Sequence, residues 1–205
     1  GSSLVKIDYC NNLVWQNQED SFNHSAELDA NENIWNPVFQ YPYSIDEKYI
    51  GDRHGDYKDY ALAKTSQDGK ILFQKSISNL FIENDMKYLL FSVGDESFDV
   101  DPIGLNDVQP VFNDSDYWKK GDLFLSLRNQ SMIILYRPSS NEILWTGTGH
   151  TYHQHDVNVL NDHQISIFNN NSMDTINGDS VQGHNEVLIY DFKTNEYSSY
   201  LKESL

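Results

Sequence analysis

A single cysteine, Cys10, leaves the chain without an internal disulfide. Basic side chains are scarce as well: 14 Lys and Arg stand against 31 Asp and Glu, a formal charge of −17. A surface this acidic repels phosphate backbones and anionic lipid, which excludes nucleic acid as a partner. No apolar run approaches the roughly 18 residues that a membrane-crossing helix needs, so no membrane insertion is expected. Long amphipathic helices are missing too. Only Ser78 to Phe91 reads as a short helix followed by a strand.

What remains is strand. Aromatic residues make up 13% of the chain, β-branched residues are frequent, and Gly, Asn and Asp clusters interrupt the sequence at short intervals. That pattern predicts many short strands and an all-β fold. Four segments repeat one motif, an apolar strand, a polar turn and a strand ending in an aromatic. They run from Leu4 to Trp15, Tyr60 to Phe73, Ile133 to Trp145 and Val187 to Tyr197. Their turns are Asn11-Asn12, Gln67-Asp68-Gly69, Ser139-Ser140-Asn141 and Thr194-Asn195, residue types that tolerate positive φ. A second hairpin precedes three of them, starting at His24, Asn106 and His155.

Two consecutive hairpins make a four-stranded antiparallel unit, the blade of a β-propeller. The expected organisation of residues 1–205 is a partial propeller, with blades at 22–76, 104–147 and 153–201 and a closing hairpin at 4–16. Propellers close with typically four to eight blades, so about three and a half blades predict that a partner chain or a missing segment completes the ring. A β-sandwich is the alternative architecture.

The repeat alignment places His24, Asn106 and His155 at equivalent strand starts. Innermost strands of a propeller line its channel, so such polar residues either close the channel or form a site. Arg128 follows the strand Leu123 to Leu127, where an apolar residue would continue the pattern. Other clusters carry alternative readings. His150, His153 and His155 with Asp156 have a spacing that zinc ligation permits. Asp95, Glu96, Asp99 and Asp101 read as a calcium loop or a solvated acidic loop. The stretch Gly51 to Asp56 reads as a turn. Asn-x-Ser sequons begin at Asn23, Asn113, Asn129 and Asn170.

Gln154-His155-Asp156-Val157, followed by Phe168-Asn169-Asn170, resembles the Gln-His and Phe-Asp-Asn segments of the bacterial arylsulfotransferases. Ser126-Leu127-Arg128 resembles the family's Ser-x-Arg, Asn106-Asp107-Val108 its His-x-Asn, and Asn23-His24-Ser25 its earlier His segment. The four motifs occur in the family's order, and the resemblance covers residues 4–200. It implies a six-bladed propeller, acting in the periplasm or outside the cell, that moves a sulfuryl group from an aryl sulfate to a phenol. No cofactor and no nucleotide donor take part. It further implies His155 as the covalent nucleophile, with Arg128, Asn106 and His24 holding the sulfuryl oxygens. Two departures stand out. Gly104 occupies the place of a family His, and Asn169 the place of an acid. They leave open a second reading, a binding or scaffold propeller that has lost turnover.

Overall fold

The computed structural model describes residues 1–50, 56–91 and 99–200. The fold is all-β, 48% strand and 7% helix. Two compact units divide it, Gly1–Gly104 and Leu105–Leu205.

In the first unit the strands are β1 (Ser2–Ile7), β2 (Leu13–Phe22), β3 (Glu27–Leu28), β4 (Ile34–Phe39), β5 (Tyr60–Thr65) and β6 (Ile71–Ser76). They form one sheet in the order β1-β2-β4-β5-β6, with β3 also paired to β4. The hairpin read at 4–16 is β1–β2, but β2 runs on to Phe22 and joins the sheet through Ser21↔Phe39 and Phe22↔Val38. The same edge of β4 then takes β3, through Glu27↔Trp35 and Leu28↔Ile34. Phe22, Val38, Ala61 and Ala63 form the buried cluster, with Leu4 and Ile71 against it.

The turns follow their residue types. Asn11, Gly69, Asn141 and Asn195 all have φ between 58° and 85°. Asp8 shows how side chains build such a turn: its Oδ1 accepts from the backbone N–H of Cys10 and Asn12 at 2.8 and 2.9 Å. Gly69 is required twice over. Its φ of +85° suits glycine, and a Cβ there would lie 2.9 Å from the Trp15 ring.

The helix expected from Ser78 is α1 (Ile77–Glu83), capped by Ser76, whose Oγ accepts from Asn79 N–H at 3.1 Å. The strand expected after it is a 3-10 turn, Lys87–Leu90. A left-handed Asp85 (φ 60°) reverses the chain, and the turn buries Leu90 completely. Burying one leucine under a tight turn needs no ladder, and the local apolar run does not distinguish the two.

The second unit contains two four-stranded antiparallel sheets. The first has the order β10-β9-β8-β7, from β7 (Leu105–Pro110), β8 (Leu123–Leu127), β9 (Met132–Arg137) and β10 (Glu142–Thr148). The second has the order β11-β12-β15-β16, from β11 (His155–Val159), β12 (Gln164–Asn169), β15 (Glu186–Asp191) and β16 (Glu196–Ser199). Between β12 and β15 an extra hairpin, β13 (Ser172–Thr175) and β14 (Gly178–Val181), forms a two-stranded sheet that pairs with no other strand among the described residues. Each four-stranded sheet is a meander, the strand order of a propeller blade. Central β8 and β9 are apolar and buried almost throughout, whereas edge strand β10 alternates exposed and half-buried positions.

The two sheets are joined by an apolar core and a polar clasp. The core holds Val111, Trp118, Phe124, Ile133 and Leu135 from one side, and Val157, Ile165, Ile167, Tyr190 and Phe192 from the other. Trp145 stacks on Tyr190 with centroids 4.9 Å apart. The clasp is made by two buried side chains. Asp107 Oδ2 accepts from Val157 N–H at 2.8 Å. Gln154 Nε2 reaches Leu127 O and Met132 O, both at 3.1 Å, and Ser126 Oγ at 3.2 Å.

Removing one partner of a buried hydrogen bond strands the other without water, at a cost of about 1–3 kcal/mol. Asp107→Ala is therefore expected to destabilise the protein by about that amount. Asp107→Asn keeps an acceptor for Val157 N–H and should lose less. Denaturant midpoints of the two variants, at unchanged slope, check the ordering.

Candidate active site

His155 is the first residue of β11, opposite Phe168 in β12. The chain approaches it through His153, which is left-handed (φ 50°). The imidazole is half-buried. Its Nδ1 lies 3.2 Å from His153 O and 2.9 Å from Asn170 Nδ2, and that same Nδ2 donates to His153 O at 2.8 Å. Three atoms thus meet at one side of the ring.

Asn169, which stands where the family has an acid, is 1% exposed. Its Oδ1 accepts from Tyr152 N–H at 2.9 Å and Asn171 N–H at 3.1 Å. Both contacts need only an acceptor oxygen, which Asn and Asp supply alike. The departure therefore leaves the local geometry intact.

Arg128 begins the turn from β8 to β9, closed by Ser131 N–H to Arg128 O at 3.0 Å. Its guanidinium is half-buried and donates to Asn129 Oδ1 at 3.0 Å. The turn is docked on the approach to His155. Thr151 Oγ1 donates to Ser131 O at 3.4 Å, and His153 N–H to Ser131 Oγ at 3.3 Å. Asn106, 3% exposed, donates through Nδ2 to Gln154 O at 2.8 Å. Its buried Oδ1 has no hydrogen-bond partner among the described residues. Hydrogen bonds through Gln154 thus bring Asn106, the Arg128 turn and His155 to one junction of the second unit. His24 belongs to the first unit. It is exposed and left-handed (φ 52°), in the irregular stretch between β2 and β3.

The ladders correct the repeat alignment by one residue. The first rungs are Leu105↔Leu127 and His155↔Phe168, and in each strand one extra residue follows before the next rung, Asn106 in β7 and Asp156 in β11. Asn106 therefore corresponds to Asp156, and His155 to Leu105. A β-bulge adds a residue without any signature in the apolar pattern, so counting along the sequence misses it. Gly104 then corresponds to Gln154. It is buried and left-handed (φ 59°).

Among the described residues no group of three or more His, Cys, Asp or Glu is arranged to hold a metal ion. His150, read as a zinc ligand, instead stacks on Tyr197 with centroids 4.1 Å apart. Burial pushes the Tyr197 hydroxyl up to about 12. Of the calcium reading, Asp95 and Glu96 lie outside the described residues, while Asp101 pairs with Lys58 Nζ at 2.9 Å. Gly51 to Gly55 of the expected turn also lie outside them.

The family model for arylsulfotransferase (ASST) matches residues 2–205. The chain belongs to the arylsulfotransferase family. No curated protein sequence matches it. Among solved structures it is similar to a protein of unknown function from Bacteroides caccae, at 9% identity and a TM-score of 0.51. The match covers 96% of this chain and 52% of that one, so the chain spans about half the length of the solved neighbour.

The motifs of this arylsulfotransferase-family chain contain three residues of the junction, Asn106, Arg128 and His155, but do not show what assembles them. Asp107 and Gln154 lie inside the motifs, yet neither is singled out there. The available signal was polarity at a buried place: Ser126 interrupts the apolar strand LFLSL, and Gln154 is 0% exposed at its side. The acceptor role of Asn169 leads to a direct test. Asn169→Asp should retain near-native stability, whereas Asn169→Leu should lose about 1–3 kcal/mol through two stranded N–H groups. Thermal unfolding of both variants measures the contrast.

Proposed function

We propose that the chain catalyses sulfuryl transfer from an aryl sulfate to a phenolic acceptor, through a sulfated His155 and without a nucleotide donor. The observation that carries this reading is the junction itself, in which His155 is held through Nδ1 beside the turn that bears Arg128. In this proposal Nε2 is the nitrogen that reacts. Its lone pair attacks sulfur, the bond from sulfur to the aryl oxygen breaks, and the phenolate leaves with the electron pair. The acceptor's phenolic oxygen then attacks the same sulfur and gives up its proton to solvent, which returns one to the released phenolate. The sulfur–nitrogen bond breaks and the pair returns to Nε2. Dividing the reaction in this way replaces one difficult displacement by two easier ones.

Arg128 supplies the positive charge that a sulfate ester requires in a chain of formal charge −17. Its planar fork suits two sulfuryl oxygens at once. Asn106 has a smaller part, since one of its two amide hydrogens already serves Gln154 O. His24 enters by resemblance to the family's earlier His segment. Completion of a six-bladed ring by a partner chain or a further segment, and action in the periplasm or outside the cell, belong to the same proposal.

One observation favours a second reading, a binding propeller without turnover. Gly104 has no side chain to offer where the family has a histidine, and its left-handed backbone suits glycine.

A chromogenic aryl sulfate with excess phenol separates the two. Transfer is expected in the wild type and none in His155→Ala. Arg128→Ala should keep the nucleophile but lose about 100-fold to 1000-fold in rate, the usual effect of deleting one donor to developing charge. Turnover that persists in His155→Ala would refute the assignment.

A further inference from the structure

Asn170 Nδ2 sits 2.8 Å from His153 O and 2.9 Å from His155 Nδ1. The carbonyl fixes which way the amide points. A reversed amide would set two acceptor oxygens 2.8 Å apart, so the nitrogen faces inward. His155 Nδ1 therefore meets two groups of opposite character. His153 O, at 3.2 Å, can only accept a hydrogen bond, and Asn170 Nδ2 can only donate one.

We propose that Asn170 is the positioning residue of His155, holding the ring through Nδ1 in both protonation states of that nitrogen. When Nδ1 carries a proton, it donates to His153 O, and Asn170 braces that carbonyl from the other side. When Nδ1 is bare, it accepts from Asn170. The ring keeps its orientation while the proton comes and goes, and only the partner changes. This inference rests on the transfer reading for its catalytic meaning. Attack by Nε2 requires the tautomer with hydrogen on Nδ1, and the sulfated ring then bears that hydrogen as an imidazolium. Its retention makes the ring a better leaving group in the second step.

Asn170 also stands at a join. Asn169 and Asn171 flank it, and Asn171 Nδ2 donates to Gln182 O and His184 O, closing the base of the β13–β14 hairpin. The backbone at Asn170 is thus held on both sides, so its amide has little freedom to swing away from the ring.

The test reads the ring nitrogens of His155 directly. In the full chain labelled with 15N, two-bond ring correlations report which nitrogen carries hydrogen. Asn170→Asp and Asn170→Ala both delete the donor and keep the His153 carbonyl. Each is expected to shift Nδ1 from the mixture of bare and protonated states held in the wild type toward the pyrrole-like range, the tautomer that attacks, furthest in Asn170→Asp, whose carboxylate accepts. In transfer assays Asn170→Ala should nevertheless lose about tenfold to a hundredfold in kcat, because the unbraced ring no longer aims Nε2 at sulfur, with little change in KM. If Asn170→Ala does not fold, Asn170→Leu, close in volume and without a donor, carries the test. The same His155 nitrogen pattern in wild type and variant overturns the inference, whatever the activity. A pattern that shifts as expected in a wild type unable to transfer sulfuryl upholds the contact and refutes the transfer reading.

Discussion

The second unit depends on a polar clasp inside an apolar joint. Two meander sheets meet through Trp118, Phe124, Ile133 and Leu135 on one side and Val157, Ile165 and Ile167 on the other. Such an interface is strong and has no directional preference, so it fixes burial without fixing alignment. Alignment comes from Asp107, which takes Val157 N–H, and from Gln154, which reaches Leu127 O and Met132 O. Each of these groups is buried and would be costly to leave unpaired, which ties β11 to one position against β7 and β8. His155 is the residue after Gln154. Its location follows from the clasp.

The candidate site is made at the points where the strands of the second unit are least regular. Asn106 and Asp156 are bulge residues, and His153 and Asp156 are left-handed without being glycine. A bulge turns one side chain out of the ladder's alternation and leaves backbone groups for other partners. Here the gained partners are short polar side chains, Asn106 to Gln154 O and Asn170 to His153 O. Local strain of this kind persists only where the surroundings over-determine it, and the neighbouring apolar core and the clasp provide that.

Much of this was legible in the sequence. The turns at Asn11, Gly69, Asn141 and Asn195 could be read because their residue types tolerate positive φ, and all four adopt it. The apolar runs of β8 and β9 gave away two central strands. The one-residue bulges could not be read, because an added residue at a strand start looks like one more position of the strand. That is why Asn106 was matched to His155 and not to Asp156. The strand expected in the later part of Ser78 to Phe91 is instead a turn, Lys87–Leu90, because a short apolar run has no period that distinguishes a ladder from a buried turn. The β13–β14 hairpin escaped notice for the opposite reason: its exposed Met173, Ile176 and Val181 mark no face of a core. Family motifs pointed to Arg128 and His155, while Asp107 and Gln154, which hold the site together, became visible only as hydrogen bonds between sheets.

The central claim is that His155 carries the group being transferred. Peptide mass spectrometry after brief incubation with an aryl sulfate and no acceptor measures this most directly. The account predicts one added sulfuryl group, on the peptide containing His155, that disappears when phenol is supplied. Steady turnover by a protein that never acquires the group, or acquires it on another peptide, would contradict it.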